Sequence, residues 1–198
     1  MKELSVRQRI VYGALELFSQ KGYDATSVDE IAKSIGMQGP NIYKYFKKKE
    51  DILEVLKNNY DNPYIKRFGI DPETPVWIHN SEELKMFSMK QIERTINDPM
   101  VIKLRKMGTI EQFRDAEFAS NTSEYQYDSL VNLFTKIFEK LVKIGAVTEA
   151  DPKILALEYM SPTSVLIQLC DRQPERKEEA MELVEKHIDF FIKTHFKE

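Results

Sequence analysis

Apolar side chains recur at Ile10, Ala14, Leu17 and Phe18, the spacing of one helical face, and predict a helix over residues 5–20 that Lys21-Gly22 ends. Ser27 and Glu30 have the spacing of a capping box, and Val28, Ile31, Ala32 and Ile35 then form a second apolar stripe. Gly36 closes that short helix, and Met37 with Gln38 turn the chain into a third segment, predicted over 39–46 with Pro40 in its first turn. A fourth helix is expected from residues 48–50 toward Tyr60, carrying Ile52, Leu53, Val55 and Leu56. Pro63, Gly69, Pro72 and Pro75 then break all periodicity, which reads as an irregular connector over 62–80.

Helical patterning resumes after it. Helices are predicted over 81–96, over 98–119 with a bend at Gly108, and over 123–144 with a stop at Gly145. Asp151-Pro152 opens another, which Pro162 should kink, and a last one follows Pro174. Strand-like alternation of useful length is absent, so the expected fold class is all-α, with about nine helices.

Two short helices joined by a tight turn behind a longer one describe a helix-turn-helix, although generic three-helix packing gives the same apolar spacing. The last two helices differ from the rest. Apolar residues occupy most of the circumference between Ile154 and Cys170, and more than one face between Leu183 and Ile192. A helix apolar nearly all round is buried on two sides. Either a second copy of the chain covers one side, the preferred reading, or both helices are central in a monomer.

Composition narrows the function. The chain has 198 residues, 42% apolar and 31% charged, as a globular protein does, and the apolar run Ile10 to Leu15 is too short for a membrane span or a secretory signal. A single cysteine, Cys170, permits no internal disulfide and no thiolate zinc site, so a cytoplasmic location is expected. The net charge of −3 is unevenly spread: residues 1–49 carry nine basic and five acidic side chains, and the remainder is acidic. A basic end on an acidic body suits a protein that offers only its N-terminus to a polyanion, though a solvated charged face reads the same way. No nucleophile elbow, dinucleotide fingerprint or zinc-protease motif occurs, and His79, His187 and His195 lack metal spacing. No enzymatic activity, cofactor or metal is expected.

Ala14, Leu15, Phe18, Gly22 and Tyr23, then Thr26-Ser27-Val28, Ile31-Ala32 and Gly36, and finally Ile42-Tyr43-Lys44-Tyr45-Phe46 with Lys49-Glu50 and Leu53, resemble the tetracycline-repressor (TetR) family of bacterial regulators. The motif covers about a quarter of the chain, and the stretch from Asp151 to Asp171 looks like the family's penultimate helix. The resemblance implies an N-terminal helix-turn-helix domain, residues 1–50, and a ligand-binding and dimerisation domain, residues 51–198. It implies a homodimeric regulator, usually a repressor, that binds a double-stranded DNA operator and is released by a small-molecule effector. Two departures stand out: Gln38 and Lys48 occupy positions where the family often has small capping residues.

Carried onto this sequence, the DNA-contacting candidates are Thr26, Ser27, Gln38, Gly39, Pro40, Asn41, Tyr43, Lys44, Tyr45, Lys48 and Lys49. Gln38 and Asn41 suit adenine, Pro40 a thymine methyl, and Gly39 a close approach; the hydroxyls and lysines suit phosphate. Phe87, Met107, Phe113, Phe118, Tyr127 and Phe134 are candidates to line an effector pocket or form ordinary core. Leu157, Met160, Leu166, Leu169, Val184, His187, Ile188 and Phe191 are the expected dimer interface. The alternatives are a helical small-molecule-binding protein that no longer reads DNA, and a DNA-binding accessory factor that answers to no ligand.

Overall fold

The computed structural model describes residues 4–59 and 77–197, so most of the expected connector over 62–80 lies outside the described residues. The described elements are α1 (Val6–Lys21), α2 (Val28–Ser34), α3 (Gly39–Ile42), α4 (Lys49–Asn59), α5 (Ser81–Asn97), α6 (Pro99–Glu111), α7 (Ala116–Ser123), α8 (Ser129–Lys143), α9 (Pro152–Arg172) and α10 (Lys177–His195). A π-helical turn, Glu124–Asp128, joins α7 to α8 without a break, giving nine continuous helical rods among the described residues. No described helix is long and apolar enough to cross a membrane. The helices fall into two compact units.

The described residues of the first unit are 4–59 and 99–120. Ile10, Ala14, Leu15 and Phe18 of α1 are buried with Ile31, Ile42, Phe46, Ile52 and Leu56. Burying each such side chain contributes about 1.5–3 kcal/mol. The functional boundary expected at residue 50 falls inside this unit, because α6 and the start of α7 are held to it by charge. Lys103 pairs with Glu16, and the buried Glu111 carboxylate accepts the Tyr23 N–H at 2.8 Å. A Cβ at Gly22 would press on that carboxylate. The Lys57 ammonium, almost wholly buried, lies 2.5 Å from Glu117, 3.6 Å from Asp115, 3.5 Å from Glu54 and 5.2 Å from the Phe118 ring centre. Burial opposes its charge, but the three carboxylates outweigh burial and raise its pKa.

Sequence spacing misplaces one break here. The helix expected over 98–119 ends at Glu111, because Asp115 takes the N–H groups of Glu117 and Phe118, at 2.8 and 3.2 Å, and starts α7 instead. The next helix therefore begins at Ala116 rather than near 123.

The second unit, residues 77–98 and 121–197, packs α5, α8, α9 and α10 around Phe87, Phe134, Phe138, Tyr159 and Phe191. Asn80, not Ser81, caps α5, accepting the Glu83 N–H at 2.9 Å. Gly145, with φ of 76°, closes α8 as expected, and Ala146 N–H returns to Leu141 O at 2.9 Å. Asp151 caps α9 through the Lys153 N–H, and the helix continues through Pro162 to Arg172. Tyr159 of α9 donates its hydroxyl to Ser88 of α5 at 2.8 Å, and burial raises its phenol pKa.

Candidate nucleic-acid interface

The turn between α2 and α3 follows from local chemistry. Ser27 and Glu30 form the expected reciprocal cap on α2, with Ser27 N–H to the Glu30 carboxylate at 2.8 Å and Glu30 N–H to the Ser27 hydroxyl at 3.2 Å. Lys21, 2.5 Å away, leads the causes that hold the Glu30 carboxyl down at about 2, followed by the Ser27 N–H. At the other end Gly36 takes φ of 72°, its N–H bonds Lys33 O at 3.1 Å, and Met37 N–H bonds Ala32 O at 2.8 Å. This pair of bonds is the Schellman stop, which needs the left-handed conformation that glycine adopts without strain.

The third segment is shorter as a helix than the predicted 39–46. α3 spans Gly39–Ile42, and the bonds from Tyr45 and Phe46 N–H to Ile42 O wind the chain onward as a turn to Phe46. Gln38 stands at its N-cap without a side-chain bond, so its amide is free to face outward. α4 also lacks a small capping residue. Instead the Asp51 carboxylate accepts the N–H groups of Lys47 and Lys48, at 3.0 and 3.2 Å.

These contacts leave one exposed group of DNA-contacting candidates. Gln38, Pro40, Lys44 and Lys48 are exposed, Tyr43 and Tyr45 are 56% and 42% exposed, and Asn41 is half-buried. Ser27 is exposed at the cap of α2. Lys33 and Lys47, which the motif did not single out, are exposed too, and only burial could have told them from other lysines.

Three of the expected contacts have partners within the chain instead. The Thr26 hydroxyl is buried and donates to Gly22 O at 2.8 Å. Gly39 is buried because Asp29 packs where its Cβ would be, so the close approach serves α2 and not a ligand. The Lys49 ammonium donates to Tyr23 O and Thr26 O at 2.8 and 2.9 Å and lies 4.0 Å from the Tyr23 ring centre. It fastens α4 to the α1–α2 loop and is committed there.

Residues 10–56 match the family model for bacterial regulatory proteins, tetR family. In these residues the chain is similar to that family. A relative, the biofilm operon icaADBC negative transcriptional regulator IcaR of Staphylococcus epidermidis, is 35% identical over 60 residues, 30% of this chain and 32% of its own length. The chain thus spans about a third of the curated relative it matches. Two solved structures extend the likeness in fold to nearly all of both chains. The ketosteroid transcriptional regulator KstR2 of Mycobacterium tuberculosis superposes with a TM-score of 0.71 at 17% identity, covering 100% of this chain and 98% of that one. The SmeT–triclosan complex superposes at 0.68 with 17% identity, covering 97% and 92%. The whole chain therefore shares the all-α fold of these two structures, with the helix-turn-helix at its N-terminus.

The expected effector residues are divided between the two units. Met107, Phe113 and Phe118 belong to the first unit, where Met107 is buried, Phe118 lies beneath Lys57, and Phe113 is 89% exposed on the turn after α6. Phe87 and Phe134 meet in the second unit at 6.5 Å, whereas Tyr127 on the π-helical turn is 48% exposed. The interface candidates also divide. Met160, Val184, Ile188 and Phe191 are buried in the chain's own core and have no surface to offer a partner. Leu157, Leu166, Leu169 and His187 are half-buried, His187 with Nε2 2.9 Å from Tyr159 O. The exposed apolar side chains of these two helices are Ile154, Val165, Leu183 and Phe190. Spacing identifies two apolar sides but cannot tell which of them faces inward.

Proposed function

We propose that this chain is a cytoplasmic, ligand-responsive transcriptional repressor that binds a pseudo-palindromic operator as a homodimer. The observation that carries this reading is the exposed set Gln38, Pro40, Tyr43, Lys44 and Tyr45 on and just after a short helix that a Schellman stop and an internal Asp29 contact hold in place. α3 enters the major groove, where Gln38 and Asn41 meet adenine edges and Pro40 a thymine methyl. Tyr43, Lys44, Tyr45, Ser27 and Lys48, joined by Lys47, hold phosphates on either side. DNA reading thus belongs to residues 1–50, and effector binding and pairing to 51–198.

Ile154 and Val165 are three turns apart on α9, and Leu183 and Phe190 two turns apart on α10. These four, with Leu157, Leu166, Leu169 and His187 at the margin, are the dimer face. Pairing through it sets the two copies of α3 about 34–36 Å apart, one helical turn of DNA. An effector that favours a conformation with another spacing lowers operator affinity by population shift. The description of IcaR as a negative transcriptional regulator supports the repressor sense, and the SmeT–triclosan complex supports a small-molecule effector.

The test is a titration of the intergenic DNA beside its gene at two or more salt concentrations. Tyr43→Ala should weaken binding about tenfold or more, and Lys44→Ala should lower the salt slope by about one. Curves identical to the parent for both variants reject the interface.

A further inference from the structure

Among its described residues the second unit buries no charged side chain; its buried polar residues are Ser88, Thr95, Thr122 and Thr163, all neutral. Some polar atoms there lack partners. The side-chain oxygens of Gln91, Thr122 and Thr135 are buried without a hydrogen bond. Gln91 follows Phe87 by four residues and Ser88 by three, so it stands on the same side of α5, one turn after the turn that holds the other two.

That turn borders a row of rings. Trp77, 42% exposed, meets Phe87 edge-on at 5.6 Å; Phe87 meets Phe134 at 6.5 Å, and Phe134 meets Tyr159 at 5.2 Å. The row runs from solvent into the core, ending at the Tyr159–Ser88 hydrogen bond.

We propose that the Trp77–Phe87–Phe134 row and Gln91 bind an uncharged, largely apolar molecule bearing a hydrogen-bond donor, such as an alcohol hydroxyl, which Gln91 Oε1 accepts. This rests on the ligand-responsive reading above and adds the chemical class of the ligand and its polar anchor. A buried acceptor with no donor is unfavourable, and a hydroxyl delivered to it removes that penalty. An ionised ligand would leave water without a buried counter-charge in this unit. The rings supply the apolar contact that orients the rest of the molecule.

Trp77 is the single tryptophan, so its emission reports on the outer end of the row. The full chain is titrated with 4-tert-butylcyclohexanol, with its methyl ether, and with 4-tert-butylcyclohexanecarboxylate, none of which absorbs with tryptophan. The alcohol should shift Trp77 emission with a Kd about tenfold below that of the ether, the worth of one hydrogen bond, and the carboxylate should cause no shift. Gln91→Leu should keep or raise Tm and bind alcohol and ether alike. Equal Kd values for alcohol and ether in the parent, a carboxylate that binds as tightly as the alcohol, or no shift with any probe overturns the site. A fall in Tm, or failure to fold, in both Gln91→Leu and Gln91→Met shows a partnered amide and overturns it too. Binding of the alcohol without operator release leaves the site standing and removes only its effector role. Release by a probe that leaves Trp77 unmoved removes the site and keeps that role.

Discussion

The two units of this chain are held together by different forces. The first buries Lys57, Arg105 and Glu111, and positions its helices by directional contacts: Lys49 on two carbonyls, Glu111 on the Tyr23 N–H, and Lys57 among three carboxylates. The second buries rings and aliphatic side chains, with neutral hydroxyls and amides as its only buried polar groups among the described residues. Charged hydrogen bonds fix angle as well as distance, which suits a surface proposed to match a groove. Apolar packing fixes volume and tolerates more than one arrangement, which suits an interior proposed to admit a guest.

The largest break in this comparison comes from the second unit. Phe191→Ala removes a fully buried ring that meets Tyr159 at 4.8 Å and Phe138 at 5.4 Å, and should cost about 3–5 kcal/mol in denaturant unfolding. Its effect should be insensitive to salt. Gly39→Ala should follow, at about 1–3 kcal/mol, because the new Cβ must displace Asp29. Asp29→Ala in the same chain should restore Tm, whereas additive losses in the double variant would show that the two residues do not oppose each other. Lys57→Met should cost about 1–2 kcal/mol, discounted because its carboxylate partners are 40–58% exposed, and the difference from the parent should shrink at high salt.

The smallest effect is a matter of pH. Glu30 has its pKa lowered to about 2 from an ordinary 4.5. The stability it contributes is complete above the ordinary value and is lost as pH falls toward 2. Glu30→Gln should therefore lower Tm most above pH 5 and flatten the acid limb, so that the two curves converge as pH falls toward 2. An acid limb identical to that of the parent would show that the Lys21–Ser27–Glu30 group does not act as a unit.

Much of the first unit is legible in sequence because its signals are local. Ser27 with Glu30, and Gly36 after a short apolar stripe, specify a start and a stop within three or four residues, and the structure places both there. Lys48 without a small cap also reads correctly, but the Asp51 carboxylate that replaces it was not anticipated. Sequence does not place the Lys49 ammonium, because a lysine reaches a phosphate or a carbonyl equally well, and the position of the α1–α2 loop puts it on two carbonyls. The break at Asp115 is not legible in sequence, because a carboxylate that caps a new helix looks the same there as one on a helix surface.

By itself the sequence determined the helical class, the turn between α2 and α3, and the N-terminal concentration of positive charge, because each depends on residues near one another in the chain. Tertiary structure decided which apolar side of α9 and α10 is core, which lysines remain free, and where Gln91 lies unpartnered. Those outcomes depend on what a distant segment supplies to a side chain: a carbonyl, a ring or nothing. Hydrophobicity and spacing carry no record of that choice.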